Sequence, residues 1–167
     1  MFVMNSESIS ALERMLTPYN PWWGKRDYKV DPSFRRLAFQ KIFQDLKEIR
    51  QIISITGPRR VGKTTLVHQL VEALIAEGHK PEHIIYFSLD DPLLLEKPFR
   101  ERFFEDLMEW IENRCEGKKC FLFLDEVQRF EAWELYLKKY YDLNFNVRFT
   151  ISGSASSPIF KKSRDRN

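Results

Sequence analysis

Two hydrophobic periods alternate along the chain. Four short runs are apolar at most positions: QIISIT at 51–56, IIYFSL at 84–89, CFLFLD at 120–125 and VRFTIS at 147–152. Their length and their branched and aromatic content predict strands buried on both faces. Between the runs, apolar residues recur at helical spacing. Leu66, Leu70 and Leu74, with Val67, Val71 and Ile75, form one stripe, and Gly78 supplies its stop. Phe103, Leu107 and Ile111, flanked by Phe104 and Met108, form a second that ends before Gly117. A third, shorter and aromatic-rich, runs from about Trp133 to Tyr141. Upstream, Asp31 and Pro32 signal a helix start, and Phe34, Leu37, Ala38, Ile42, Leu46 and Ile49 form its stripe. Ser10 to Glu13 reads as a capping box opening a short helix, and TPYNPWWGKR as an irregular connector.

Strands apolar on both faces and separated by helices imply a parallel sheet between helical layers, because each crossover must return the chain to the same end of the sheet. The expected class is therefore α/β, with three layers. At 167 residues and 43% apolar content the chain has the makings of one packed domain. The reading divides it into an N-terminal extension and connector over 1–31 and a domain over 32–167.

Charge narrows the picture only locally. The formal net charge of +3 comes from 27 basic and 24 acidic residues, too balanced to announce a nucleic-acid binder. The ending KKSRDRN is the exception; it reads as a solvated tail, with a nucleic-acid arm as the alternative. Cys115 and Cys120 lack a second pair at zinc-ligand spacing, and His68, His79 and His83 join no Cys/His cluster, so free thiols and no structural metal are expected. The N-terminus lacks a basic segment followed by a long apolar stretch, and no apolar run is long enough to span a bilayer. A soluble cytoplasmic protein without membrane association is expected.

The chemistry begins at ITGPRRVGKTT, residues 55–65, where the first predicted strand meets a predicted helix. Gly57, Pro58, Arg59, Arg60, Val61, Gly62, Lys63 and Thr64 satisfy the pattern GxxxxGK(S/T). Glycines let such a loop curl so that successive N–H groups point at phosphate oxygens, and the helix N-terminus reinforces them. Lys63 would bridge the outer phosphates, Thr64 would coordinate Mg²⁺, and Thr65 would lie near the inner phosphate. Arg59 and Arg60 occupy variable positions, with side chains expected to turn away from the phosphates.

The run CFLFLD brings Asp125 to the C-terminal edge of the sheet, where open α/β folds bind ligands, and so over the Mg²⁺. Glu126 follows directly and would polarise an attacking water. FTISGSASS ends a strand in Ser152, Gly153 and Ser154; Ser152, as the strand terminus, is the preferred contact to the γ-phosphate or the water. Asp90, Asp91 and Pro92 read as a turn or as a site contact. Trp22 and Trp23 would either cover an adenine ring or anchor the N-terminal segment as buried aromatics.

GPRRVGKTT, YFSLDDP, FLDEVQ followed by Trp133, and ISGSASS stand in an order and spacing that resemble the AAA-type P-loop ATPases of archaea and bacteria, in which a C-terminal winged-helix and nuclease-like region follows the ATPase module. NPWW resembles the lead-in of one branch. The resemblance spans roughly Tyr19 to Lys162. It implies a sheet in which the Ser152 strand inserts between the loop strand and the Asp125 strand, a catalytic role for Glu126 and a sensor position at Ser152.

It also implies ATP and Mg²⁺ as ligands, with ATP hydrolysis as the activity. The family continues into a further helix and strand, an arginine that completes hydrolysis and a helical lid, whereas this sequence ends about fifteen residues after Ser152. The expectation is a module incomplete at its C-terminus, whose arginine comes from self-association or from further sequence. A nucleotide-operated binding module for a protein or nucleic acid is the alternative. A P-loop kinase is a third reading, disfavoured because an arginine-bearing lid and an acceptor pocket are not evident.

Overall fold

In the computed structural model, residues 6–25, 27–30, 35 and 37–154 are described. The helix start at Asp31 and Pro32, the stripe position Phe34 and the basic tail lie outside them. Among the described residues are helices α1 (Ser6–Leu16), α2 (Ala38–Glu48), α3 (Lys63–Ala76), α4 (Lys97–Cys115) and α5 (Trp133–Asp142). The strands are β1 (Ile53–Gly57), β2 (Ile84–Ser88), β3 (Cys120–Asp125) and β4 (Val147–Ser154). All pairings are parallel, in the order β1-β4-β3-β2. The Ser152 strand thus inserts between the loop strand and the Asp125 strand, as the resemblance implies.

Alternation along β2 and β3 builds the three layers. Ile85, Phe87, Leu122 and Leu124 face a core shared with Leu12 and Leu16 of α1, Phe103 and Leu107 of α4 and Leu137 of α5. Ile84, Tyr86, Phe121 and Phe123 face the other core, with Phe39 and Leu46 of α2 and Leu66, Leu70 and Leu74 of α3. Burying such side chains contributes about 1.5–3 kcal/mol each, enough to override weak local preferences. No helix among the described residues is long and apolar enough to cross a membrane.

The first run is not buried on both faces as expected. Only Ile55 of β1 is fully buried, while Ser54 and Thr56 are exposed. Among the described residues β1 is an edge strand with one paired neighbour, which accounts for its polar alternation. β2 is also at an edge, yet all five of its residues are buried. The difference is the segment after α1. The Asn20 side chain accepts from Tyr86 N–H at 2.7 Å and donates to Tyr86 O at 2.9 Å, and the indole nitrogens of Trp22 and Trp23 both donate to Ile84 O. These side chains stand in for a neighbouring strand.

Two local expectations are corrected. The first helix is already in place at Ser6, the first described residue, so Ser10 and Glu13 lie inside it rather than forming its cap. Glu13 instead accepts from Trp110 Nε1 at 3.2 Å. Nor are the thiols free: Cys115 and Cys120 form a disulfide, and His83 lies beside them in a three-residue cluster. Cys115 ends α4, left-handed Glu116 and Gly117 (φ 51° and 70°) reverse the chain, and Cys120 opens β3. The pair needed no second pair because each cysteine is the other's partner.

Candidate functional site

Parallel strands deliver their C-terminal ends to one edge, and Gly57, Ser88, Asp125 and the end of β4 gather there. β1 breaks at Gly57, where a Cβ would stand 3.2 Å from Val61 Cγ2. The loop then passes Pro58 and Arg59 and takes positive φ at Arg60 (62°) and Gly62 (83°) before α3 begins at Lys63. At Gly62 the missing side chain makes that turn affordable. The first turn of α3 therefore points its N–H groups toward the loop interior.

Lys63 is 8% exposed, and its Nζ donates to Gly57 O at 3.0 Å and Pro58 O at 2.8 Å. Thr64 donates its hydroxyl to Asp125 Oδ2 at 2.8 Å. A cleft of about 440 Å³ opens over these groups, lined by Arg59, Arg60, Gly62, Lys63, Thr64, Thr65 and Glu126. The two arginines are exposed and contribute to the rim.

Asp125 is 4% exposed at the end of β3. A carboxylate in such a place is costly unless hydrogen bonded. It accepts four: Thr64 and Tyr86 hydroxyls at Oδ2, and the Ser152 hydroxyl (2.6 Å) and Glu126 N–H (2.9 Å) at Oδ1. Burial, followed by the negative charge of Asp125, raises the Tyr86 phenol far above its ordinary range, so it remains a donor. On the far side of Tyr86, the His68 ring packs edge-on at 5.2 Å between centroids. Burial lowers the His68 pKa, and Asp125 partly opposes that shift.

Glu126 turns the chain at φ 50° and ψ 39°, a left-handed geometry uncommon for a residue with a Cβ. Its half-buried carboxylate accepts from Gln128 Nε2. Ser152 reaches Asp125, while Ser154 is buried two residues further on at the strand end.

The remaining candidates lie elsewhere. Trp22 is fully buried, edge-on to Tyr28 and His68, with its N–H on β2; it anchors the segment and offers no free face. Trp23 is held against Trp110 and the Arg114 guanidinium. Asp90 accepts from Ser88, and Asp91 accepts from Leu93 N–H and the Tyr19 hydroxyl, so this stretch is a turn. The residues that sequence reasoning missed are Tyr86 and Asn20. A lone tyrosine two positions before the end of an apolar strand was the available signal, since a buried phenol needs a partner.

Comparison with known proteins adds four likenesses. A family model described as an AAA domain matches residues 49–167. An uncharacterized protein of Methanocaldococcus jannaschii is 30% identical over 155 residues, covering 89% of this chain and 29% of that protein. The structure of C. elegans PCH-2 superposes with a TM-score of 0.50 at 18% identity, over 96% of this chain and 44% of that one. AMPPCP-bound DnaA from Aquifex aeolicus gives 0.48 at 19% identity, over 81% and 43%. The chain therefore spans less than a third of its sequence relative and under half of these solved chains. With the family model covering well over half its length, from the strand before the loop onward, the chain belongs to the AAA domain family as a nucleotide-binding, ATPase-like module.

Proposed function

We propose that this module binds ATP with Mg²⁺ at the 57–65 loop and hydrolyses it. The observation that carries the reading is the 2.8 Å contact between the Thr64 hydroxyl and the buried Asp125 carboxylate at the loop mouth, with Lys63 beside it. Hard oxygen donors on a hydroxyl and a carboxylate fit Mg²⁺, which keeps several waters and binds through few protein ligands plus phosphate. Bound there, the ion neutralises charge on the phosphate oxygens.

The chain's own residues would do the rest. Gly57 to Thr65 cradle the phosphates with backbone N–H groups. Lys63, now held by two neutral carbonyls, exchanges them for phosphate oxygens of higher charge. Glu126 faces the same cleft and orients the attacking water, taking its proton as general base. Ser152 enters through Asp125, whose Oδ1 it fixes, rather than by direct contact with the γ-phosphate. Residues 32–167 carry this chemistry on our reading, with the preceding segment as a clasp on β2. An arginine to complete the site would come from a second copy or from another part of a longer protein.

The test compares the parent with Lys63→Ala and Glu126→Gln, measuring labelled-nucleotide binding and phosphate release with Mg²⁺. Lys63→Ala loses binding. Glu126→Gln keeps it and loses turnover by about 10²–10⁴-fold, the usual worth of a general base. A Glu126 variant as fast as the parent would remove the catalytic assignment. Binding without phosphate release by the parent would instead leave a nucleotide-operated binding module.

A further inference from the structure

At the sheet edge opposite the 57–62 loop, side chains from three elements converge. Cys115 closes α4, Cys120 opens β3, and His83 ends the 3-10 turn that leads into β2. Their sulfurs and a ring nitrogen lie within 4.8 Å of one another. Both cysteines are buried, His83 is half-buried, and a cleft of about 260 Å³ lined by Cys115, Cys120, Ile111, Asn144 and Val147 opens beside them. In the structure the sulfurs are joined as a disulfide. A disulfide alone gives no reason for an imidazole at this distance.

We propose that the reduced cluster is a soft-metal site of the zinc class, with Cys115 and Cys120 as thiolate ligands and His83 as the nitrogen ligand. A dithiol reductant supplies two electrons and two protons, breaking the S–S bond and leaving two thiols; the reductant becomes a disulfide. Uptake of a divalent ion then releases both thiol protons. Thiolate and imidazole select zinc-class ions over Mg²⁺ or Ca²⁺. The four residues between the cysteines fall within the spacing zinc sites use. Their Cα atoms are 6.5 Å apart, near the upper end of what a disulfide spans, so the pair can widen around an ion with little backbone movement.

Charge makes the metal and the disulfide alternative states. The groups that bear on His83 are Lys80, Lys118 and Arg114, against Glu82. An ion entering this positive rim must be neutralised by the site itself, which two thiolates do and a disulfide does not. No fourth His, Cys or carboxylate joins the group among the described residues, so the fourth position falls to water from the cleft.

The experiment takes the full chain, reduced and freed of metal without oxygen, and titrates it with Co²⁺ followed by Zn²⁺ in competition. A sulfur-to-cobalt charge-transfer absorption should grow to one equivalent, yield to Zn²⁺ and be absent from the oxidised chain. His83→Gln is the deciding variant because it keeps both thiols; its Co²⁺ affinity should fall at least ~10-fold, since even partners one step removed from a metal are worth that much. Cys115→Ser should abolish the absorption. A reduced chain that gives no such absorption, or a His83→Gln variant that binds as the parent does, overturns the proposal.

Discussion

The hydroxyl of Tyr86 donates at 3.0 Å to Asp125 Oδ2, the oxygen that also accepts from Thr64. A strand behind the site thus sets the orientation of a carboxylate at its front. Tyr86→Phe removes one of the four donors and leaves the ring packing intact. A hydrogen bond to a charged group contributes about 1.5–3 kcal/mol, so the Mg²⁺ concentration needed for half-maximal nucleotide binding should rise by about 10-fold or more. Nucleotide affinity without Mg²⁺ should stay unchanged. Titration of labelled ATP binding against Mg²⁺ reads both, and an unaltered Mg²⁺ dependence would show that Tyr86 only packs.

Asn20 holds the backbone of Tyr86 from the other direction, and it also donates to Leu16 O at 2.7 Å. Asn20→Ala strips the partners from Tyr86 N–H and C=O in a fully buried strand. Each buried polar group left unsatisfied costs about 1–3 kcal/mol. The urea midpoint should fall by a corresponding amount with the slope of the transition unchanged. A loss under about 0.5 kcal/mol, the scale of an ordinary surface substitution, would mean that water reaches the strand edge and the clasp contributes little.

What the sequence made legible follows the range over which each cause acts. The 57–65 loop could be read because strand, glycines, lysine and helix are contiguous, and Asp125 because an apolar run ends in it. Ser152, chosen as the strand terminus, does meet Asp125, although β4 runs on to Ser154. The exposure of β1 was not legible, since an edge strand is defined by which neighbour it lacks. Asn20 mimics a strand 66 positions away, a relation that no local period encodes. The pairing of Cys115 with Cys120 depends on the left-handed turn at Glu116 and Gly117, which composition does not display.

His68 makes stability depend on pH through the same cluster. Its Nδ1 is hydrogen bonded to the Tyr28 hydroxyl at 2.8 Å, its ring meets Trp22 and Tyr86, and burial lowers its pKa below the ordinary value of about 6.5, with Asp125 opposing. The folded chain therefore keeps this imidazole neutral at a pH where the unfolded chain takes up a proton. Where the unfolded state binds more protons, stability rises with pH. The contribution is complete above the unfolded value and is lost as pH falls through it toward the lower folded value. Burial also lowers His79 and His83, so they act with the same sign. Urea midpoints of the parent should decline between about pH 7.5 and about pH 5.5, a window centred on the unfolded imidazole value. In His68→Gln the decline should be shallower but still present, because two lowered histidines remain. Parallel curves for the two proteins would show that His68 titrates alike in both states and that its burial among Trp22, Tyr28 and Tyr86 carries no proton linkage.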